Sequence, residues 1–273
     1  MSFVPPIHPP PRATPKPLTF APPKPVPTVF AIWVILRKEV SAYFNSLIAY
    51  LVMGVFLLGL GLFVWVLKGN VLDELFAELD ILFLWAPWFY LFLVPALTMR
   101  AFAEEFRTGT WEWLSTRPVT AWQIILGKYL ASLVLLLLAL LPTLVYYITL
   151  YSIGQPQGNI DSGATLGAYL GLFGIGAVFV AIGLFSSTLT DNQIVAFVLG
   201  AFLCFLLYMG FDFASEIPAF DGPIGATLKL FGIHEHYTSI SRGVLDSRDL
   251  LYYVSVSFLF LLLSRQTLLS RTA

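Results

Sequence analysis

Six stretches of this chain, residues 47–67, 81–99, 129–151, 165–189, 193–211 and 250–264, contain no Asp, Glu, Lys, Arg or His. A hydrocarbon core about 30 Å thick is crossed by about 20 helical residues. In lipid the backbone polar groups of such a stretch must pair within it, which leaves the helix as the available form. The last stretch is short for the task; the other five are long enough. With 58% hydrophobic and 11% charged residues, these helices are apolar on every face. The expected fold is therefore an all-α polytopic membrane protein with six transmembrane helices.

Orientation follows from Lys and Arg. An even number of spans puts both termini on one side, together with Arg12, Lys16, Lys24, Arg37, Lys38, Arg100, Arg107, Arg117, Lys128, Arg265 and Arg271. Lys68, Lys229, Arg242 and Arg248 fall on the other side, a split of 11 to 4. Positive charge marks the cytoplasmic face, so both termini are expected in the cytoplasm and the chain in the cytoplasmic (inner) membrane. The opposite face is acidic, with Asp73, Glu74, Glu78 and Asp80 in one loop and Asp212, Glu216, Asp221, Glu235, Asp246 and Asp249 in another.

The first 27 residues hold 11 of the 18 prolines, which excludes a helix or sheet there and predicts a disordered or polyproline tail over 1–27. The apolar run 29–36 comes late and is followed by Arg37-Lys38-Glu39, so no signal-peptide cleavage is expected. Next, Leu36, Val40, Tyr43 and Leu47 recur at helical spacing opposite Arg37, Ser41 and Asn45. This segment reads as an interfacial helix or as an extension of the first span. Residues 28–273 form one membrane domain in this reading.

Between the second and third spans lies a polar module, residues 101–128, which a mere anchor would not need. It reads Glu104-Glu105-Phe106-Arg107-Thr108-Gly109-Thr110-Trp111-Glu112-Trp113-Leu114. A short helix over 110–115 would present Trp111, Trp113 and Leu114 as apolar anchors, with Glu104, Glu105 and Glu112 open to basic groups of a partner. On residues alone, belt tryptophans among headgroups and solvated acids fit equally well. Gly163, Gly167 and Gly171 share a face of the fourth span and allow close helix packing, within the chain or between copies. Pro95 and Pro142 fall inside spans and can kink them.

Enzyme signatures fail. Gly127-Lys128 is followed by Tyr129 and has no upstream glycine at the required spacing, so no phosphate-cradling loop is formed. His234-Glu235-His236 lacks the four-residue spacing of a helical zinc site and reads as exposed loop. Cys204 stands alone in an apolar span. No catalytic residue, metal or cofactor is expected in this chain, and no nucleic-acid partner. Ion-coupled transport ordinarily keeps an ionisable group at depth, and the spans have none. Energy for any transport is then expected to enter through the 101–128 module.

The run from Glu104-Glu105 through Gly109-Thr110, Glu112 and Leu114 to Pro118-Val119 and Gly127-Lys128 resembles the cytoplasmic coupling region of ABC-2 type transporter permeases. Tyr43-Phe44-Asn45-Ser46, Ala49-Tyr50, His236 to Ser239 and Ser241-Arg242-Gly243-Val244-Leu245-Asp246 resemble the gliding-motility-associated branch, with Leu47 where that branch is expected to carry Pro. The likeness spans about residues 30–263. It implies a permease subunit that pairs with a second permease subunit and docks separate ABC ATPase chains holding ATP and Mg. A coupling helix carrying Gly109, Thr110, Trp111, Glu112, Trp113, Leu114 and Pro118, beside Glu104 and Glu105, would receive them. It also implies an exporter. A non-transporting membrane scaffold or accessory subunit of a larger motility-type assembly would show the same hydropathy and stays open, as does the substrate.

Overall fold

A computed structural model describes residues 27–73, 78–154, 158–218, 222–243 and 246–272, and among them every regular element is helical. The proline-rich tail up to Val26, Glu74 and the segment Val244-Leu245 lie outside the described residues. In chain order the elements are α1 (Thr28–Phe44), α2 (Leu47–Trp65), α3 (Asp80–Thr98), α4 (Ala103–Arg107), α5 (Thr110–Ser115) and α6 (Ala121–Leu140). A 3-10 turn (Leu141–Thr143) leads into α7 (Leu144–Ile153), followed by α8 (Ser162–Leu189), α9 (Gln193–Phe205), a π-turn (Leu206–Gly210) and α10 (Phe211–Ser215). The chain ends with α11 (Pro223–Lys229), α12 (Ile233–Ile240) and α13 (Ser247–Thr272). Among the described residues, six helical stretches are long and apolar enough to cross a membrane: Leu47–Trp65, Asp80–Arg107, Ala121–Ile153, Ser162–Leu189, Gln193–Ser215 and Ser247–Arg271.

Local chemistry sets where these helices begin. Thr120 and Gln123 cap α6 reciprocally: the Thr120 hydroxyl accepts from the Gln123 amide and the Gln123 side chain accepts from the Thr120 amide. The third span therefore starts eight residues before Tyr129, and Lys128 lies inside the helix rather than ahead of it. The Asp161 carboxylate accepts from the Gly163 and Ala164 amides, both at 2.9 Å, to open α8. Asn192 opens α9 in the same way. Pro142, lacking a donor, coincides with the 3-10 turn between α6 and α7.

Other segments also differ from the sequence expectations. Leu47 is not on the face of α1; the chain breaks at Asn45-Ser46, and Leu47 starts α2. The last span is not short: α13 runs from Ser247 to Thr272, because Arg248, Asp249 and Arg265 sit within it near its ends and not beyond them. His234-Glu235-His236 is not loop but the start of α12.

The 28-residue α8 is the axis of the bundle, packed by α3, α6, α9 and α13. Small residues make this possible. A Cβ on Gly183 would lie 2.0 Å from the Thr98 Oγ1 on α3, and one on Gly176 would lie 2.3 Å from the Leu136 Cδ2 on α6. The glycine face named from sequence divides. Gly171 is pressed on Ile240 and Gly167 on Gly243, both within this chain, whereas Gly163 meets only its own cap residue Asp161. That packing seats α12 on α8, and the Tyr237 hydroxyl donates to the Phe83 carbonyl of α3 at 2.7 Å. By contrast α2 and α9 keep most of their apolar surface uncovered.

Candidate functional site

At one end of the bundle the chain leaves α3, makes the α4–α5 elbow and re-enters through α6. The elbow needs Gly109, whose φ of +70° lies in the left-handed region that a Cβ disfavours. Thr108 closes the preceding turn by donating its hydroxyl to the Glu104 carbonyl at 2.8 Å. The α3–α4 link is tied to α8 by one hydroxyl: Ser187 Oγ accepts from the Phe102 and Ala103 amides (2.9 and 3.0 Å) and donates to the Met99 carbonyl (3.0 Å).

The centre of this region is Lys128, whose side chain is 3% exposed. Its ammonium donates to Glu39 Oε1 on α1 (2.9 Å), to Glu105 Oε1 on α4 (2.8 Å) and to the Ala101 carbonyl (2.6 Å). All three N–H groups are thus used. The ring of Phe102 lies beneath it, 5.1 Å from Nζ. Gly127, next to it, lets α1 approach: a Cβ there would come within 2.7 Å of Ile35 and 3.3 Å of the Ile32 carbonyl. Beside the cluster, the Tyr43 hydroxyl donates to the Leu97 carbonyl in a short bond. Burial, and then the nearby Glu39 carboxylate, push that phenol well above its ordinary range, so it stays a neutral donor. One lysine therefore joins α1, α4 and α6 into a single block.

The structure divides the residues singled out from sequence. Trp111 does not serve as an outward anchor: it is 8% exposed, edge-on to Phe102 and Phe106, because α5 folds back on α4. Glu105 is not open to a partner either, since Lys128 holds it inside. Glu104 faces Arg107 at 3.9 Å and is half-exposed. Outward on α5 and the following turn stand Thr110, Glu112, Trp113 and Pro118, with Trp113 74% exposed; Leu114 is half-buried against the core. The end of α13 joins this region too. Arg271 stacks over the Phe106 ring at 4.2 Å and Arg265 over Trp122 at 5.6 Å.

Sequence reasoning missed the pairing of Glu39, Glu105 and Lys128, which no linear spacing connects. The available signal was that Glu39 and Tyr43 stand four apart on one helix face and that Lys128 abuts an uncharged run. At the opposite end it missed His236, which is no solvated loop residue. Its ring stacks on Tyr252 at 4.0 Å, its Nδ1 lies 2.7 Å from Asp249 and its Nε2 2.9 Å from the Leu230 carbonyl.

A family model described as ABC-2 family transporter protein matches residues 74–231, which include the α4–α5 elbow, Glu105 and Lys128. No curated protein matches this chain.

Proposed function

From the premise that this chain belongs to the ABC-2 transporter family, we propose that it is the membrane permease subunit of an ATP-driven exporter whose ATPase is a separate chain docking on α5. The observation that carries this is the build of the elbow. An outward face holding Glu112 and the exposed Trp113 is mounted on a helix pair whose inner side is locked by Trp111 and Lys128. An exposed tryptophan on a fixed support is what a partner pocket can grip, and a push on it passes through Glu105 and Lys128 into α6 and α1. The excess of Lys and Arg on that side supports a cytoplasmic location for the elbow and both termini. The largely uncovered faces of α2 and α9 leave room for a second permease subunit. Apart from charged groups near the span ends, such as Lys128 in the block under the elbow, the spans are apolar, which favours energy entering from such a partner over an ion gradient.

The test is copurification from native membranes followed by ATP turnover. The wild-type chain is expected to bring down a chain with a phosphate-binding loop and to change its ATPase rate. Trp113→Ala and Glu112→Gln should weaken that association by about tenfold each while leaving the permease folded. An ATPase chain that binds wild type and both variants equally would remove α5 as the docking element, and no ATPase at all would return the scaffold reading.

A further inference from the structure

A hollow of about 370 Å³ opens beside the Lys128 cluster, between α1, α2, α3 and α4. It falls within the volume range of small-ligand pockets, about 300–1,000 Å³. Its polar part carries three cations and three carboxylates: Lys38, Arg100 and Lys128 against Glu39, Glu104 and Glu105. Lys128 is fully committed to its three acceptors, but other groups are not. The Arg100 Nε–H and the Glu105 Oε2 are both buried and without any hydrogen-bond partner, although Arg100 Nη1 donates to Ser46 at 3.2 Å. A buried guanidinium N–H and a buried carboxylate oxygen left open are each costly unless something fills them. Lys38 and Glu104, more exposed, stand at the mouth.

The opposite wall is apolar, formed by Ile48, Ala49, Val52 and Ala96. Val52 and Ala96 also line a second hollow of about 180 Å³ between α2, α3 and α9, lined by apolar side chains, among them Val55, Phe89, Phe92 and Phe197. The polar compartment lies where α2 begins, at Leu47, and α3 ends, at Thr98, which is the depth at which apolar helix gives way to headgroups. A balanced charged chamber thus stands beside an apolar groove along two membrane helices, the two sharing Val52 and Ala96 in their walls.

We propose that this chamber and groove bind one phospholipid whose head carries both a phosphate and a primary ammonium. The phosphate lies against Arg100 and Lys38, the ammonium against Glu105 Oε2 and Glu104, and an acyl chain follows the groove past Val52 and Ala96. Equal numbers of opposed charges select a zwitterion over an anionic lipid. A primary ammonium, with three N–H donors, can reach both carboxylates, whereas a trimethylated one has no donor. The bound lipid fastens α1 and α2 to the root of the elbow, independently of what docks on α5.

The test uses the full chain purified in detergent, delipidated, and offered phosphatidylethanolamine, phosphatidylcholine or phosphatidylglycerol, with bound lipid counted by native mass spectrometry. One phosphatidylethanolamine should be retained per chain, about tenfold more firmly than either of the others. Arg100→Gln should reduce retention about tenfold, Ala96→Trp should abolish it by filling the groove, and Glu104→Gln should erase the preference over phosphatidylglycerol. Melting curves identify any variant that fails to fold, and Glu104→Gln, at a half-exposed residue, keeps the test available in that case. Equal retention of the three lipids, or retention unchanged in the folded variants, would overturn the proposal. No ATPase enters the assay, so its failure would leave the docking reading untouched.

Discussion

Replacing Lys128 with Met is the sharpest perturbation of the block beneath the elbow. The substitution roughly conserves volume but removes the ammonium that sits 2.9 Å from Glu39, 2.8 Å from Glu105 and 2.6 Å from the Ala101 carbonyl. Both carboxylates are largely enclosed, at 14% and 13% side-chain exposure, so solvent compensates them little. Stripping one member from a buried pair costs about 3–5 kcal/mol, and the lower end applies here because the exposed Lys38 ammonium, 4.0 Å from Glu39 and 3.8 Å from Glu105, still partly balances the two carboxylates. Spread over a chain this size, that lowers the melting temperature on the order of 10 °C. The assay is thermal melting in detergent followed by tryptophan fluorescence, ranked against wild type at one scan rate, since membrane-protein melting is often irreversible. The cost should be non-additive. In a background of Glu39→Gln and Glu105→Gln, the same Lys128→Met should cost less than half as much, because no carboxylate is then orphaned. A Lys128→Met chain as stable as wild type, or a cost unchanged in that background, would refute the claim that this lysine holds the block together.

Other expectations separate packing from docking. Trp111→Ala should destabilise the fold by about 3–5 kcal/mol by emptying a buried site, whereas Trp113→Ala should stay within about 0.5 kcal/mol of wild type in the same melt. Gly171→Leu should cost at least about 1–3 kcal/mol by driving into Ile240, while Gly163→Ala should be nearly neutral, as melting curves would show. Loss of the His236 ring, which bridges α12 to Asp249 of α13 and to Leu230, should raise protease cleavage between residues 230 and 246 severalfold in a His236→Ala chain.

Much of the fold could be read because membrane burial writes a coarse code: an uncharged run of about 20 residues has one stable form. That code located the spans but misjudged ends where a charge lies inside a helix. Lys128 and Arg265 were taken as boundaries, yet α6 and α13 run past them because an ammonium can be met by carboxylates and a guanidinium can stack on an aromatic ring. The short helix over 110–115 was legible from Gly109 and the polar–aromatic alternation that follows it. Which of its tryptophans faces inward was not, because Trp111 and Trp113 differ only through the fold-back of α5 onto Phe102 and Phe106. Likewise Glu104 and Glu105 are neighbours of one chemistry. Only the approach of α1 at Gly127 decides that Glu105 is enclosed with Lys128 while its neighbour stays half in water.

The most direct test of the docking account is a photo-crosslinking amino acid placed at position 113 in native membranes, with position 111 as its control. From 113, covalent capture of an ATPase chain carrying a phosphate-binding loop is expected, and from 111 only internal products or none. Capture of lipid alone from 113, with no protein partner, would contradict the assignment of α5 as the surface through which this permease is driven.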